Sequence, residues 1–297
     1  MKLSANTSLY RERPDGERWS IEQAVRAVAK AGFEAVELNF AEAIRPGSFF
    51  AEKNWETEIE RIGLAAEECG LMLIHSHLPF YNFATPGHEN LEYKAKMFSR
   101  VIRASGMLGI RWGVFHAGNA PDAVMGRMES KRRTLEYLTP FMEDAAKAGV
   151  GFAIENLFIP EYLNSTRRYC AHVEEVIDLA DSLGENACIC WDFGHANLIR
   201  DDQAECLRAV GKRLKMIHVH DNNGVKDQHA APYTAGCTID WAAILPVLGE
   251  IGYEGTFNFE VAAGRVPSVL RDGFNRYLVE TGKQMAELVK RGRPEKK

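Results

Sequence analysis

The stretch HVHDNNGVKDQH, residues 218–229, brings His218, His220, His229, Asp221 and Asp227 together directly after Lys215-Met-Ile, which reads as the start of a buried strand. Imidazole nitrogens and carboxylate oxygens are the donors that Mn²⁺, Co²⁺, Zn²⁺ or Mg²⁺ accept. The same groups carry protons in general acid–base catalysis. Three other strand-like runs end in the same way: Gly151-Phe-Ala-Ile-Glu155, Cys188-Ile-Cys-Trp-Asp192 and Thr256-Phe-Asn-Phe-Glu260.

Side chains alternate across a strand. Phe152 and Ile154 therefore oppose Gly151, Ala153 and Glu155, and Ile189 and Trp191 oppose Cys188, Cys190 and Asp192. Ile217 and Val219 oppose Met216, His218 and His220, while Phe257 and Phe259 oppose Thr256, Asn258 and Glu260. Each run has one face of large apolar groups and one that ends in an ionisable residue. His77 and His116 close two earlier runs. If these ends converge, several carboxylates share a dry space, where they repel and lose hydration. A divalent cation, one or more, resolves that conflict most simply.

The elements that must position these groups follow from a repeat. Gly32, Gly70, Gly109, Gly149, Gly184, Gly211 and Gly252 each follow a helix-like stretch and precede a strand-like run, at spacings of 38, 39, 40, 35, 27 and 41 residues. Glycine suits the left-handed position that ends a helix. Seven such junctions and a first strand at 3–9 give eight strands. Helical spacing of apolar residues marks 90–108, 129–148, 172–183, 204–210, 240–251 and 267–290. Ser20 and Gln23 form a capping-box pattern before another helix. Eight alternations predict one (β/α)8 TIM barrel over residues 1–297, whose active site lies where the strands end. No GxGxxG follows the first strand, which argues against an open dinucleotide-binding sheet. The tail RGRPEKK reads as a frayed end.

The composition of the 297-residue chain, 46% hydrophobic and 26% charged, suits a globular protein with a large core. A net charge of -5 argues against a nucleic-acid partner. The six cysteines form no CxxC pair, so a reduced, cytoplasmic chain is expected. The N-terminal stretch has no long apolar segment and no run spans a membrane. Asp192-Phe-Gly reads DFG, but no kinase glycine loop or HRD accompanies it.

In order along the chain, IHSHLPFYNFATP, VFHAG, AIENL, WDFGHAN, HVHDNNGVKDQH and FNFEV resemble the xylose isomerase-like TIM-barrel superfamily. That group holds sugar-phosphate isomerases and epimerases, D-tagatose 3-epimerase-like enzymes and endonuclease IV. The resemblance covers the whole chain. It implies a metal held by Glu155, Asp192, His218 and Glu260, with Glu155 and Glu260 as the catalytic pair. It also implies substrate contacts from His195 and Glu161. His218 matches the metal histidine through the pattern His218-Val-His-Asp221. Where the epimerases carry an arginine six residues after that histidine, this chain has Gly224. The implied reaction is isomerisation or epimerisation of a sugar or sugar phosphate by proton transfer through a metal-stabilised enediolate.

Two other reactions remain open. A metal-dependent dehydratase or lyase would use the same enediolate. An endonuclease IV-like phosphodiesterase would use His77, His116, Glu155, Asp192, His195, His218, Asp227, His229 and Glu260 as ligands of three zinc ions. The pattern HDN-G-K-DxH followed by G-x-T-I-D-W, and the acidic total, favour the sugar enzymes. His77, His116, Asp227 and His229 are thus expected either as further metal or substrate ligands or, for the last two, as groups that order a loop. His75 and His220 read as supporting or packing groups, and Cys188 and Cys190 as inward spacers. Arg265 and Lys226 could hold a phosphate or carboxylate. A small carbohydrate is the expected partner, and a homo-oligomer is compatible with the sequence.

Overall fold

A computed structural model describes residues 1–11, 16–84, 90–120, 126–159 and 168–294. Eight parallel strands close into a barrel in sequence order. They are β1 Leu3–Asn6, β2 Ala35–Asn39, β3 Met72–His77, β4 Trp112–Phe115, β5 Gly151–Glu155, β6 Ala187–Asp192, β7 Leu214–Val219 and β8 Phe257–Phe259. The α-helices among the described residues are α1 Ser8–Arg11, α2 Ile21–Ala31, α3 Trp55–Glu68, α4 Leu91–Met107, α5 Gly126–Lys147, α6 Val173–Leu183, α7 Phe193–Ile199, α8 Gln203–Val210, α9 Trp241–Glu250 and α10 Arg271–Arg291.

Local signals act as the sequence predicts. Ser20 accepts from the Gln23 N–H while the Gln23 side chain accepts from the Ser20 N–H, closing the capping box of α2. All seven junction glycines have positive φ, a conformation in which any Cβ would strain the αβ loop. Two differences are physical. Helix α5 starts at Gly126, three residues earlier than the apolar spacing indicated. The tail is anchored at its start, because Gly292 packs its Cα against the Pro246 carbonyl of α9, where no side chain would fit. Residues 295–297 lie outside the described chain.

The predicted face parity holds. Phe152, Ile154, Ile189, Trp191, Ile217, Val219, Phe257 and Phe259 join the large core between strands and helices. Val114, Ala153, Cys188, Cys190 and Met216 form a separate cluster inside the barrel. Each buried aromatic of the outer layer contributes roughly 1.5–3 kcal/mol. The inner cluster does something further: it plugs the barrel with apolar atoms below the mouth. Parallel registers then set the next inward residues side by side, with Asp192 against His218 and His218 against Asn258.

Candidate metal centre

Three groups of donor atoms occupy the mouth, the atoms of each lying within 4.8 Å of one another. Glu155, Asp192, His218 and Glu260 form the central one. It joins β5, β6 and β7 to the residue that follows β8. His77, Glu155 and His116, the last directly after β4, form a second. His195, His220, Asp227 and His229 form a third, from α7 and the loop after β7. All nine positions singled out in the sequence as metal ligands fall into these groups, and Glu155 belongs to two of them.

The central group is nearly dry: Glu155 is 1% exposed, and Asp192 and His218 are fully buried. His218 Nδ1 lies 3.2 Å from both Glu155 Oε1 and Glu260 Oε2 and 3.7 Å from Asp192 Oδ2. Glu260 keeps 12% of its side chain exposed, so the group opens to solvent on its side.

Several rings are oriented by one nitrogen so that the other faces the site. A carbonyl oxygen can only accept, so the ring nitrogen facing it must carry a proton. His77 Nδ1 donates to the Leu78 carbonyl (3.0 Å), His195 Nδ1 to that of Asn156 (2.9 Å) and His229 Nδ1 to that of Glu260 (2.7 Å). The Nε2 of each then points at a carboxylate: His77 at Glu155 (3.6 Å), and His195 and His229 at Asp227 (3.6 and 3.2 Å). This is the arrangement that metal-binding histidines usually require. His229 adopts φ +45 to make its contacts, a conformation rare for residues with a Cβ.

Electrostatics follow from burial against these pairings. Burial alone would raise the Glu155 carboxyl, but His116 and His218 hold it well below the usual range. Burial likewise opposes ionisation of Asp192, which His195 and His220 nonetheless hold well below its ordinary value. Glu260, desolvated but facing His218, is brought down to about 2. Desolvation would lower His195 and His229; Asp192 instead carries the first up to about 9, and Asp227 the second up to about 10. His116 responds the other way, and burial brings it down to about 4. Without a cation, protons on His195 and His229 therefore balance the carboxylates of Asp192 and Asp227. Asp227 Oδ1 and His220 Nδ1 remain buried with no hydrogen-bond partner among the described residues. Buried donors left unsatisfied in a carboxylate–imidazole set fit a divalent cation.

Sequence reasoning missed Glu37, which sits fully buried in the middle of β2. Its Oε2 accepts from His218 Nε2 and Asn258 Nδ2, each at 3.0 Å, and its Oε1 accepts from Asn6 Nδ2 at 2.5 Å. Glu37 thus fixes the His218 tautomer and turns Nδ1 toward the central group. Asn6 Nδ2 also donates to Glu260 Oε1 at 3.0 Å. The signal was present: alternation in AVELN puts Ala35, Glu37 and Asn39 on one face. Read alone, however, the glutamate resembles an outward-facing polar residue.

Other expectations separate. His220 supports Asp192, its Nε2 lying 3.0 Å away, and its ring stacks on His229 at 3.9 Å. The stack requires Gly194, since a Cβ there would enter the His220 ring. This explains the glycine of the DFG string. His75 is a buried support 3.9 Å from Glu37. Asp221 does not reach the donors. It accepts from the backbone of Asn222, Thr238 and Ile239 and from Trp241 Nε1, stapling the loop to α9. Arg265 and Lys226 are exposed. Glu161 lies outside the described residues.

The family model described as xylose isomerase-like TIM barrel matches residues 25–285. The chain belongs to that family. Among solved structures, a D-tagatose 3-epimerase-like protein superposes with a TM-score of 0.74 at 20% identity, covering 97% of this chain and 98% of its own. A 3-keto-D-glucoside 4-epimerase from E. coli gives 0.68 at 18% identity, covering 94% and 99%. At these identities the likeness concerns the fold. In sequence, the uncharacterized protein MJ1311 of Methanocaldococcus jannaschii is 27% identical over 177 residues, 59% of this chain and 58% of that one. The uncharacterized protein y4fM of Sinorhizobium fredii is 36% identical over 77 residues, 26% and 24% of the two chains. The matched stretches thus span less than two thirds of either relative.

Proposed function

We propose that the protein is a divalent-metal-dependent isomerase or epimerase acting on a sugar or a sugar derivative. One observation carries this reading: Glu155, Asp192, His218 and Glu260, from four successive strand ends, offer donor atoms within 4.8 Å of one another. A divalent cation held there supplies Lewis-acid stabilisation of the charge that develops on substrate oxygens. Asp192 and His218, both fully buried, serve as fixed ligands. Glu260 is the more exposed glutamate and faces an incoming substrate, so it is placed to take the proton from the carbon beside the carbonyl. In an epimerisation Glu260 keeps that proton and Glu155 delivers another to the opposite face of the same carbon; in an isomerisation Glu260 passes the proton it took to the neighbouring carbon. The apolar plug beneath the donors excludes water from below. His195 remains the proposed contact for a substrate hydroxyl. The names of the structural neighbours, which are sugar epimerases, support the substrate class. The six free thiols suit a reducing compartment. Among the described residues no helix is long and apolar enough to cross a membrane.

Metal analysis of the purified protein, paired with NMR detection of solvent deuterium entering free and phosphorylated sugars, tests the proposal. One cation per chain with deuterium at the carbon next to the carbonyl supports it. No exchange in the metal-loaded protein with any sugar refutes it. A specific observation favours a second reading, a three-cation phosphodiesterase: nine candidate ligands fall into three adjoining groups, with Glu155 shared by two. Three cations per chain and cleavage at abasic DNA would establish that reading instead.

A further inference from the structure

A cleft outside the donor groups lies on the same rim of the barrel, over β1–β3. Its main part, 410 Å³, runs from Asn39 at the end of β2 to Phe49 and Phe50. A side pocket of 220 Å³ shares Arg11, Arg18, Asn39, Glu42 and Arg45 and reaches Phe80. Phe80 is also a wall of the metal centre: its ring lies 4.9 Å from His116 and 5.9 Å from His77. Phe80 thus borders both the cleft and the second donor group.

Three guanidinium groups converge in this cleft on one carboxylate. Glu42 meets Arg45 at 2.5 Å and Arg11 at 3.5 Å, and it also pairs with Arg18. A guanidinium is a rigid fork of five N–H donors matched to carboxylate and phosphate oxygens. Glu42 has two oxygens for the five N–H donors of Arg45 and the five of Arg18, so these two exposed forks keep donors for a further oxyanion. Arg45 is 65% exposed and Arg18 45%, so both can reach a ligand entering from solvent. Glu58 also lines the cleft, but Arg61 neutralises it at 2.7 Å. A space of this size suits the end of a small molecule rather than a polymer.

We propose that this cleft is an oxyanion subsite, taking the terminal phosphate or carboxylate of an acidic sugar whose carbonyl end passes Phe80 to the donor groups. The proposal rests on the sugar-isomerase reading and sharpens its substrate class. Glu42 holds the three forks together until the anion arrives.

The test uses the metal-loaded protein and two sets of probes. Inorganic phosphate is titrated by calorimetry into the wild type, Arg45→Ala and Arg18→Ala/Arg45→Ala. A neutral ketose, its terminal phosphate and the corresponding ketose carboxylate are compared by kcat/KM. The subsite is supported if phosphate binds the wild type and binding weakens at least about tenfold in the double variant, as expected for lost charge-assisted hydrogen bonds. Preference for the phosphorylated or the carboxylated sugar then identifies the natural anion. Equal phosphate affinity in wild type and double variant would place the ion elsewhere and overturn the subsite. So would a neutral ketose turned over as well as both acidic ones, with deuterium exchange intact; the sugar reading would then stand alone. If no sugar exchanges deuterium yet the arginine variants still lose phosphate, the sugar reading fails and the anion site survives. Arg45→Ala, which removes the most exposed of the three arginines, guards against loss of folding in the double variant.

Discussion

Glu155, Asp192, His218 and Glu260 come from the half of the barrel made by β5–β8, and each presents a donor atom to a common point. The side made by β1 and β2 faces the same mouth differently. Asn6 and Glu37 touch the back of His218 and the flank of Glu260, and arginines line the rim beyond. The β5–β8 half offers the central donors; β1 and β2 orient them, and in our proposal the rim above grips the far end of the substrate. A carboxylate can serve either purpose. What separates Glu37 from Glu260 is what its oxygens already touch: Glu37 accepts three hydrogen bonds deep in the barrel, while Glu260 stays partly open.

The division predicts unequal losses. Glu155→Gln or Glu260→Gln should cut turnover by at least ~10²–10⁴-fold, the range typical of general acid–base steps. Steady-state kinetics on the substrate found by deuterium exchange would show it, and unchanged turnover would remove both residues from the mechanism. Glu37→Gln should act more mildly, weakening metal affinity by about 10–100-fold through the lost orientation of His218. A chelator-competition titration measures this; a loss as deep as that of Glu260→Gln in both affinity and turnover would erase the distinction between the two halves.

Gly194→Ala pushes a methyl group into the His220 ring and should cost about 1–3 kcal/mol, as overpacking of a filled site does. Chemical denaturation of the metal-free protein checks it. An unaltered midpoint would mean that the His220–His229 stack is not a fixed part of the mouth.

Protons give the subtlest test. His195 and His229 bind theirs more tightly in the folded chain, at about 9 and about 10 against an ordinary 6.5. Their stabilisation is complete below pH 6.5 and disappears as pH climbs through 9 to 10. Glu260, depressed to about 2 from 4.5, contributes in the opposite sense: its stabilisation is present above pH 4.5 and lost as pH falls toward 2. His116, brought down to about 4, adds a loss as pH falls from 6.5 toward 4, so metal-free protein should be most stable near pH 6.5. A cation competes with the same protons, so the rise in Tm on adding metal should widen from pH 6.5 to 9. Thermal unfolding with chelator and with excess metal would show the gap; a constant gap would mean that bound metal does not displace these protons.

Much of this was legible in the chain. A period of two residues carried Ala153 inward beneath Glu155, Cys190 beneath Asp192 and Met216 beneath His218, because alternation is a property of the strand itself. The junction glycines were readable for a similar reason, since the conformation that ends each helix is local. Other assignments were not. Asp221 and Asp227, six residues apart in one loop, differ only in where the loop folds: the first is consumed by backbone N–H groups and Trp241, and the second faces His195 and His229.

The sequence alone thus determined which side chains of β5–β8 point inward, how many strands there are and which chemical types sit at the ends of those four. Those properties depend on neighbours two to four residues away. Tertiary structure decided which donors share a point, which nitrogen of each ring is free, and that Glu37, 181 residues from His218, orients it. Closing the barrel brings β2 and β7 across one mouth, and no local pattern encodes a contact whose partners meet only when the last strand pairs with the first.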